Sequence, residues 1–277
     1  MQKYIILYIF ILSIFSSQTF ATDNDGNKLV KTEVISDFLS VKPGMTFRLG
    51  IIIVPDSDWH TYWVNPGDAG LPTVIDAVLP KYISSGEIIW EVPDKIPFAG
   101  MANYGYKNRH LLEIPITVGK DFKDSVLTIQ IKISWLVCKE ECIPGSRRIT
   151  FSLPVGDIAV LNTSALPLFA DSESKRALKN IATKGNITEK SDDGLTISFI
   201  IPDDISPLEI PVFYPYDSGF LDNGADQEYL IKHPKYEVKL KYDKYREGNP
   251  EKIFGIIINK NSKAKNKDAF ELNFEIE

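Results

Sequence analysis

Cysteine, histidine and methionine are all scarce in this chain of 277 residues, which holds two cysteines, three histidines and three methionines. A structural zinc site takes about four ligands from such residues. Two cysteines with the scattered His60, His110 and His233 do not make one. Met45 and Met101 are the only methionines besides Met1, so a thioether copper site has little to build on. The two thiols themselves are soft donors that suit copper(I). No glycine-rich phosphate loop and no Gly-x-Ser-x-Gly elbow occurs, which leaves nucleotide and α/β-hydrolase chemistry without their marks. Basic clusters are lacking too. With 31 Lys and Arg against 37 Asp and Glu, the net charge is -6, which argues against nucleic acid as a partner. No cofactor is expected.

Long apolar runs are confined to the start. Met1-Gln2-Lys3 precedes an apolar stretch from Tyr4 to Phe15, and Thr19-Phe20-Ala21 offers small residues where a signal peptidase reads. Residues 1–21 therefore read as a secretory signal peptide cut after Ala21. No later run approaches the ~20 apolar residues that span a bilayer, so no transmembrane segment is expected in the mature chain. The leader carries Lys3 as its only charge, and its loss makes the protein one unit more acidic. The expected location is periplasmic or otherwise exported, soluble after cleavage, where disulfides persist.

What is present is β pattern. A hydrophobic content of 44% with 25% charged residues suits a packed core. Strands are expected over Val30–Phe38, Met45–Val54 and Leu111–Val118, and again from Leu195 in short stretches divided by Pro, Gly and Asn-Gly turns. Leu166 to Ile181 reads as a helix. These runs predict an all-β protein of two β-sandwich domains joined by a short helical connector. The expected divisions are 22–155 for the cysteine-bearing domain, 156–190 for the connector and 191–277 for the second sandwich. Ile96 to Tyr106 has no clear period, yet carries Phe98, Met101 and Tyr104. A loop with such side chains either packs back on its own domain or covers something.

Both cysteines lie in Trp135-Leu136-Val137-Cys138-Lys139-Glu140-Glu141-Cys142-Ile143-Pro144-Gly145. Leu127, Ile129, Ile131, Ile133, Trp135 and Val137 alternate with polar or smaller residues, which predicts a long half-buried strand. A returning strand follows through Ile149, Phe151 and Leu153. On that alternation Cys138 points away from the apolar face, and the two sulfurs face each other near the surface across a tight turn. A disulfide there closes a loop of about five residues, for which the chain-entropy contribution is only ~2 kcal/mol. A staple would more usefully join distant strands, so the spacing favours a redox pair over a structural one. Lys139 favours a thiolate at Cys138 while Glu140 and Glu141 oppose it, so the flanking charges leave the attacking cysteine open.

These residues carry a resemblance. Trp135-Leu136-Val137-Cys138 with Cys142-Ile143-Pro144-Gly145 resembles the periplasmic N-terminal region of the DsbD and ScsB thiol:disulfide interchange proteins. Trp59-His60-Thr61-Tyr62-Trp63, followed by Asn65-Pro66-Gly67-Asp68-Ala69-Gly70-Leu71-Pro72, is similar to the ScsB branch in particular. So are Asn103-Tyr104-Gly105-Tyr106, Phe213-Tyr214-Pro215 and Gly219-Phe220-Leu221-Asp222. The resemblance implies immunoglobulin-like domains whose Cys138 and Cys142 exchange electrons with exported thioredoxin-fold proteins. It also implies Phe98 as a cap over the pair, with Tyr62, His60 and Trp135 in the surrounding shell. The cysteine gap is shorter here than in DsbD, and no membrane conduit or thioredoxin-like domain follows, so a separate membrane electron-transfer protein is an expected partner. The alternative is a non-catalytic copper(I)- or partner-binding module with a structural disulfide.

The short loop yields a first test. Oxidised and reduced protein should both unfold cooperatively, with melting temperatures only modestly apart; loss of the cooperative transition on reduction would make the pair a structural staple.

Overall fold

The computed structural model describes residues 25–98, 101–179, 185–203, 207–246, 248, 251–260 and 269–275. The expected signal peptide lies outside them. In chain order the elements are β1 (Val30–Ser36), β2 (Phe38–Ser40), β3 (Thr46–Pro55), β4 (Thr61–Gly67), β5 (Val74–Val78), β6 (Ile83–Ser85), β7 (Asp94–Phe98), β8 (Met101–Tyr106), β9 (His110–Val118), β10 (Val126–Cys138), β11 (Cys142–Pro154) and β12 (Val160–Leu161). Helix α1 (Leu166–Glu173) follows. Then come β13 (Asn186–Lys190), β14 (Gly194–Ile200), β15 (Pro211–Pro215), β16 (Glu228–Lys232), β17 (Lys235–Lys241), β18 (Lys252–Asn259) and β19 (Ala269–Glu275). Among the described residues the chain is all-β apart from α1.

Sheet β1-β3-β9-β6 faces sheet β11-β10-β5 across the first core. The alternation along β10 does the work expected of it. Leu127, Ile129, Ile131, Ile133, Trp135 and Val137 are buried there against Phe47, Leu49, Leu112, Ile114 and Ile116. A second core forms between β13-β14-β17-β16 and β15-β18-β19, from Ile197, Phe199, Tyr236 and Val238 against Phe213, Ile257 and Phe274. The short sheet β4-β8-β7 lies against the second sandwich. Its Trp63, Tyr104 and Tyr106 share one buried cluster with Tyr214, Ile256 and Ile258.

Two expectations change here. The segment without a period is the β7–β8 hairpin, in register from Asp94↔Gly105 to Phe98↔Met101. Its apolar side chains break the usual in–out pattern because Ala102, Tyr104 and Tyr106 are buried together with their neighbours Asn103 and Gly105. Helix α1 is also shorter than Leu166–Ile181. Beyond Ser174 the backbone is committed elsewhere: the Val92 N–H donates to the Lys175 carbonyl at 2.8 Å, and Leu178 pairs with Phe270 on the edge of the second sandwich. Extended pairing and helical hydrogen bonding compete for the same groups, and the pairing wins.

Charge ties the connector to the first sandwich. The Glu113 side chain is fully buried and ion-paired with Arg176, with Arg48 Nη1 3.7 Å away. Arg48 also meets Asp37 at 3.0 Å and Glu173 at 3.6 Å, and Lys175 lies 3.7 Å from Glu91. Removing one partner of a buried pair strands the other charge and costs about 3–5 kcal/mol. Arg176→Ala should accordingly lower the unfolding free energy by about 3 kcal/mol, the low end because Arg48 remains close. Urea titration reads this, and a change under 1 kcal/mol would show that the pair is not the clasp.

Candidate functional site

The site is built where β4 crosses the end of the β10–β11 hairpin. β10 and β11 pair without interruption from Val126↔Pro154 to Cys138↔Cys142, which brings the two cysteines opposite each other. They form a disulfide, with Cα atoms 4.2 Å apart. Lys139, Glu140 and Glu141 make the turn, closed by the Lys139 N–H donating to the Glu141 carbonyl at 3.1 Å. Lys139 Nζ reaches Asp58 Oδ2 at 3.2 Å, across from the start of β4.

Cys138 lies on the face opposite Val137, as the strand's alternation requires, but that face is covered. The His60 N–H donates to the Cys138 carbonyl and the Cys138 N–H to the His60 carbonyl, each at 3.0 Å. This short bridge lays β4 over the hairpin end and buries Cys138 completely, whereas Cys142 is exposed. The expectation of two near-surface sulfurs is corrected to one buried and one accessible. A pattern confined to β10 could not show that a strand some 75 residues earlier caps its outer face.

His60 and Tyr62 sit two residues apart, so they share a face. Their rings meet edge-on with centroids 5.1 Å apart. The Tyr62 hydroxyl lies 3.7 Å from Cys142 Sγ, within reach of a weak sulfur hydrogen bond. Burial pushes the Tyr62 phenol up to about 12, so it stays protonated. Burial, aided by the charge of Lys107, lowers the His60 imidazole to about 4. It is neutral at neutral pH.

The Asn-Pro-Gly-Asp-Ala-Gly stretch closes β4 and turns beyond it, and its Gly70 packs on the Tyr62 ring. Gly70 has φ +105°, and a Cβ there would fall 2.3 Å from the Tyr62 ring. Asn65 Oδ1 accepts from the Gly67 N–H at 2.9 Å while its Nδ2 donates to the Pro215 carbonyl at 2.8 Å. Asp68 accepts from the Ala102 N–H at 2.7 Å and from Asn223 Nδ2 at 2.9 Å. Pro215 and Asn223 belong to the second sandwich, which therefore holds the loop that holds Tyr62. No local signal in the sequence singles out Asn65 or Asp68, because their partners in the second sandwich, Pro215 and Asn223, are distant in the chain.

Trp135 is not brought to the pair. It is an odd number of residues from Cys138, so it faces the core, where its Nε1 donates to the Gly26 carbonyl at 3.3 Å. Phe98 ends β7, paired with Met101; its side chain, with Ala99 and Gly100, lies outside the described residues. Among the described residues, no group of three or more His, Cys, Asp or Glu side chains is placed to hold a metal ion.

Residues 27–154 match the family model described as thiol:disulfide interchange protein DsbD, N-terminal. The N-terminal periplasmic domain of ScsB from Proteus mirabilis has the same immunoglobulin-like fold, with a TM-score of 0.63 at 13% identity, covering 91% of this chain and 96% of that one. Cln5-like protein 1 of Dictyostelium discoideum is 28% identical over 117 residues, 38% of this chain. The chain spans 29% of that curated relative's length.

The Tyr62 contact yields a test. Gly70→Ala combines a disfavoured φ with a clash against Tyr62 and should cost about 1–3 kcal/mol. It should also change the rate at which dithiothreitol reduces the disulfide, because the ring it displaces touches Cys142. Gly156→Ala, where nothing lies within 4 Å, is the control; equal behaviour of the two variants would dismiss the packing role.

Proposed function

We propose that this chain, whose residues 27–154 match the DsbD N-terminal family model, carries out thiol-disulfide exchange through Cys138 and Cys142 in an exported compartment. The observation that carries this reading is the asymmetry of the pair. Exchange needs one sulfur that a partner can reach in line and a second, sheltered from stray thiols, that resolves the intermediate. Cys142 is exposed at the hairpin tip and Cys138 is buried under β4.

In the reducing direction the Cys142 thiolate attacks a sulfur of the partner's disulfide. A Cys142–partner bond forms and the partner's own S–S bond breaks, its other sulfur leaving as a thiolate. Cys138 then attacks Cys142 Sγ. The Cys138–Cys142 bond closes, the partner departs with a second thiolate, and two electrons have passed to it. Run backwards, the same steps recharge the pair. The Tyr62 hydroxyl beside Cys142 steadies the negative sulfur by weak hydrogen bonding.

The partners in this reading are exported thioredoxin-fold proteins and a membrane electron-transfer protein. No helix among the described residues is long and apolar enough to cross a membrane. Phe98 acts as the cap over the pair in this reading. A covering aromatic excludes water and small thiols.

Single-cysteine variants test the asymmetry. Cys138→Ala leaves the accessible sulfur and should accumulate a mixed disulfide with an oxidised thioredoxin-fold protein, seen as a shifted band on a non-reducing gel. Cys142→Ala leaves the buried sulfur and should accumulate far less. Trapping with neither variant would mean that the disulfide is structural.

A further inference from the structure

His60 is 3% exposed, and its Nε2 is buried without a hydrogen-bond partner. Buried polar nitrogens are nearly always paired, so an orphan of this kind calls for an explanation. Its surroundings supply one. His60 and Cys138 stand directly opposite each other and exchange both backbone hydrogen bonds. Residues opposite each other in an antiparallel pair send their side chains to the same face, with Cβ atoms about 5 Å apart. The imidazole and the Cys138 sulfur therefore share one buried space. While the disulfide is closed, that sulfur carries no hydrogen. Reduction puts one there.

We infer that His60 is the proton acceptor for the buried thiol of Cys138. The inference rests on the exchange reading above and adds the step that reading lacks. A thiol attacks poorly, and Cys138, shut away from water, has no solvent base to ionise it. His60, neutral in the acceptor form, takes the proton from Cys138 Sγ. The resulting thiolate attacks Cys142 Sγ, the Cys138–Cys142 bond forms, the Cys142–partner bond breaks, and the partner's sulfur leaves with its electron pair. The imidazolium passes its proton to that leaving sulfur or to solvent. In the reverse direction it protonates Cys138 as the disulfide opens.

The surroundings of His60 disfavour a cation while the disulfide is closed. Tyr62 lies edge-on along the same strand and stays neutral. Lys107, on the β8–β9 connection, opposes protonation of the imidazole. Lys139 at the hairpin tip is tied to Asp58 at 3.2 Å, and Glu140 and Glu141 are exposed. Within this shell a thiolate on Cys138 is the negative charge that offsets burial and favours the protonated ring, so base strength rises only when the pair is reduced. The closed disulfide leaves the ring neutral.

Reduced protein can be mixed with an aromatic disulfide whose released thiol is coloured. The first release reports attack by Cys142 and the second reports ring closure by Cys138. His60→Phe, which keeps a ring in the space, should slow the second release by about 100-fold near neutral pH, as loss of a positioned base typically does. Its rate should then climb with pH towards the ordinary thiol range near ~8.5, while the first release stays within about twofold. An unchanged second release with an unchanged pH profile would overturn the inference. Absence of the first release in the unmodified protein would instead overturn the exchange reading. Should His60→Phe fail to fold, the unmodified protein still decides. The His60 ring, followed by NMR, should titrate near about 4 when oxidised and clearly higher when reduced; one value for both states would overturn the assignment.

Discussion

Two backbone hydrogen bonds between His60 and Cys138 hold the site in being. They join the entry of β4 to the last residue of β10, elements of two different sheets. Without them the hairpin end would be a surface turn with two equivalent sulfurs. With them one sulfur is covered and the other left open, Tyr62 is set beside Cys142, and His60 is set opposite Cys138. A bridge of two main-chain bonds is insensitive to side-chain identity, which is why it can fix geometry while leaving the residues around it free to do chemistry.

β4 serves two masters through its alternation. Tyr62 turns towards the disulfide, and its neighbour Trp63 turns the other way, into the cluster shared with the second sandwich. There Trp63 lies 4.9 Å from Tyr216, Tyr104 4.5 Å from Tyr214, and Tyr216 4.6 Å from Phe254, measured between ring centroids. Offset and tilted aromatic pairs at this spacing are favourable beyond the area they bury. The second sandwich, with no cysteine of its own, therefore acts on the disulfide by gripping the back of the strand that covers it. Asn65 and Asp68 add hydrogen bonds to the same grip.

Much of this was legible beforehand, for identifiable reasons. β10 announces itself because one face is buried along its whole length, so its period of two is clean from Leu127 to Val137. The cysteine pair, His60 and Tyr62 were named from the sequence. The burial of Cys138 was not, since it is imposed by a residue distant in the chain rather than by the strand's own pattern. The β7–β8 hairpin was hidden because its second strand is buried nearly throughout, which erases alternation. Asp37, Arg48 and Arg176 form a charge network around the buried Glu113 that no spacing predicts; only the fold brings them together. The resemblance put Trp135 in the shell, but three residues along a strand means the opposite face, and Trp135 lies in the core.

The uninterrupted pairing of β10 with β11 sets a rule for how this site can change over evolutionary time. Every pair from Val126↔Pro154 to Cys138↔Cys142 is in step, and a slip of one residue would send each side chain of the slipped strand to the wrong face. The paired strands can therefore not easily gain or lose a residue. Lys139, Glu140 and Glu141 lie beyond the last pair and are exposed, so the turn can change without shifting the register beneath it. Descendants of this chain are free to retune the charge at the tip; the pairing that sets Cys138 opposite Cys142 is the inherited quantity.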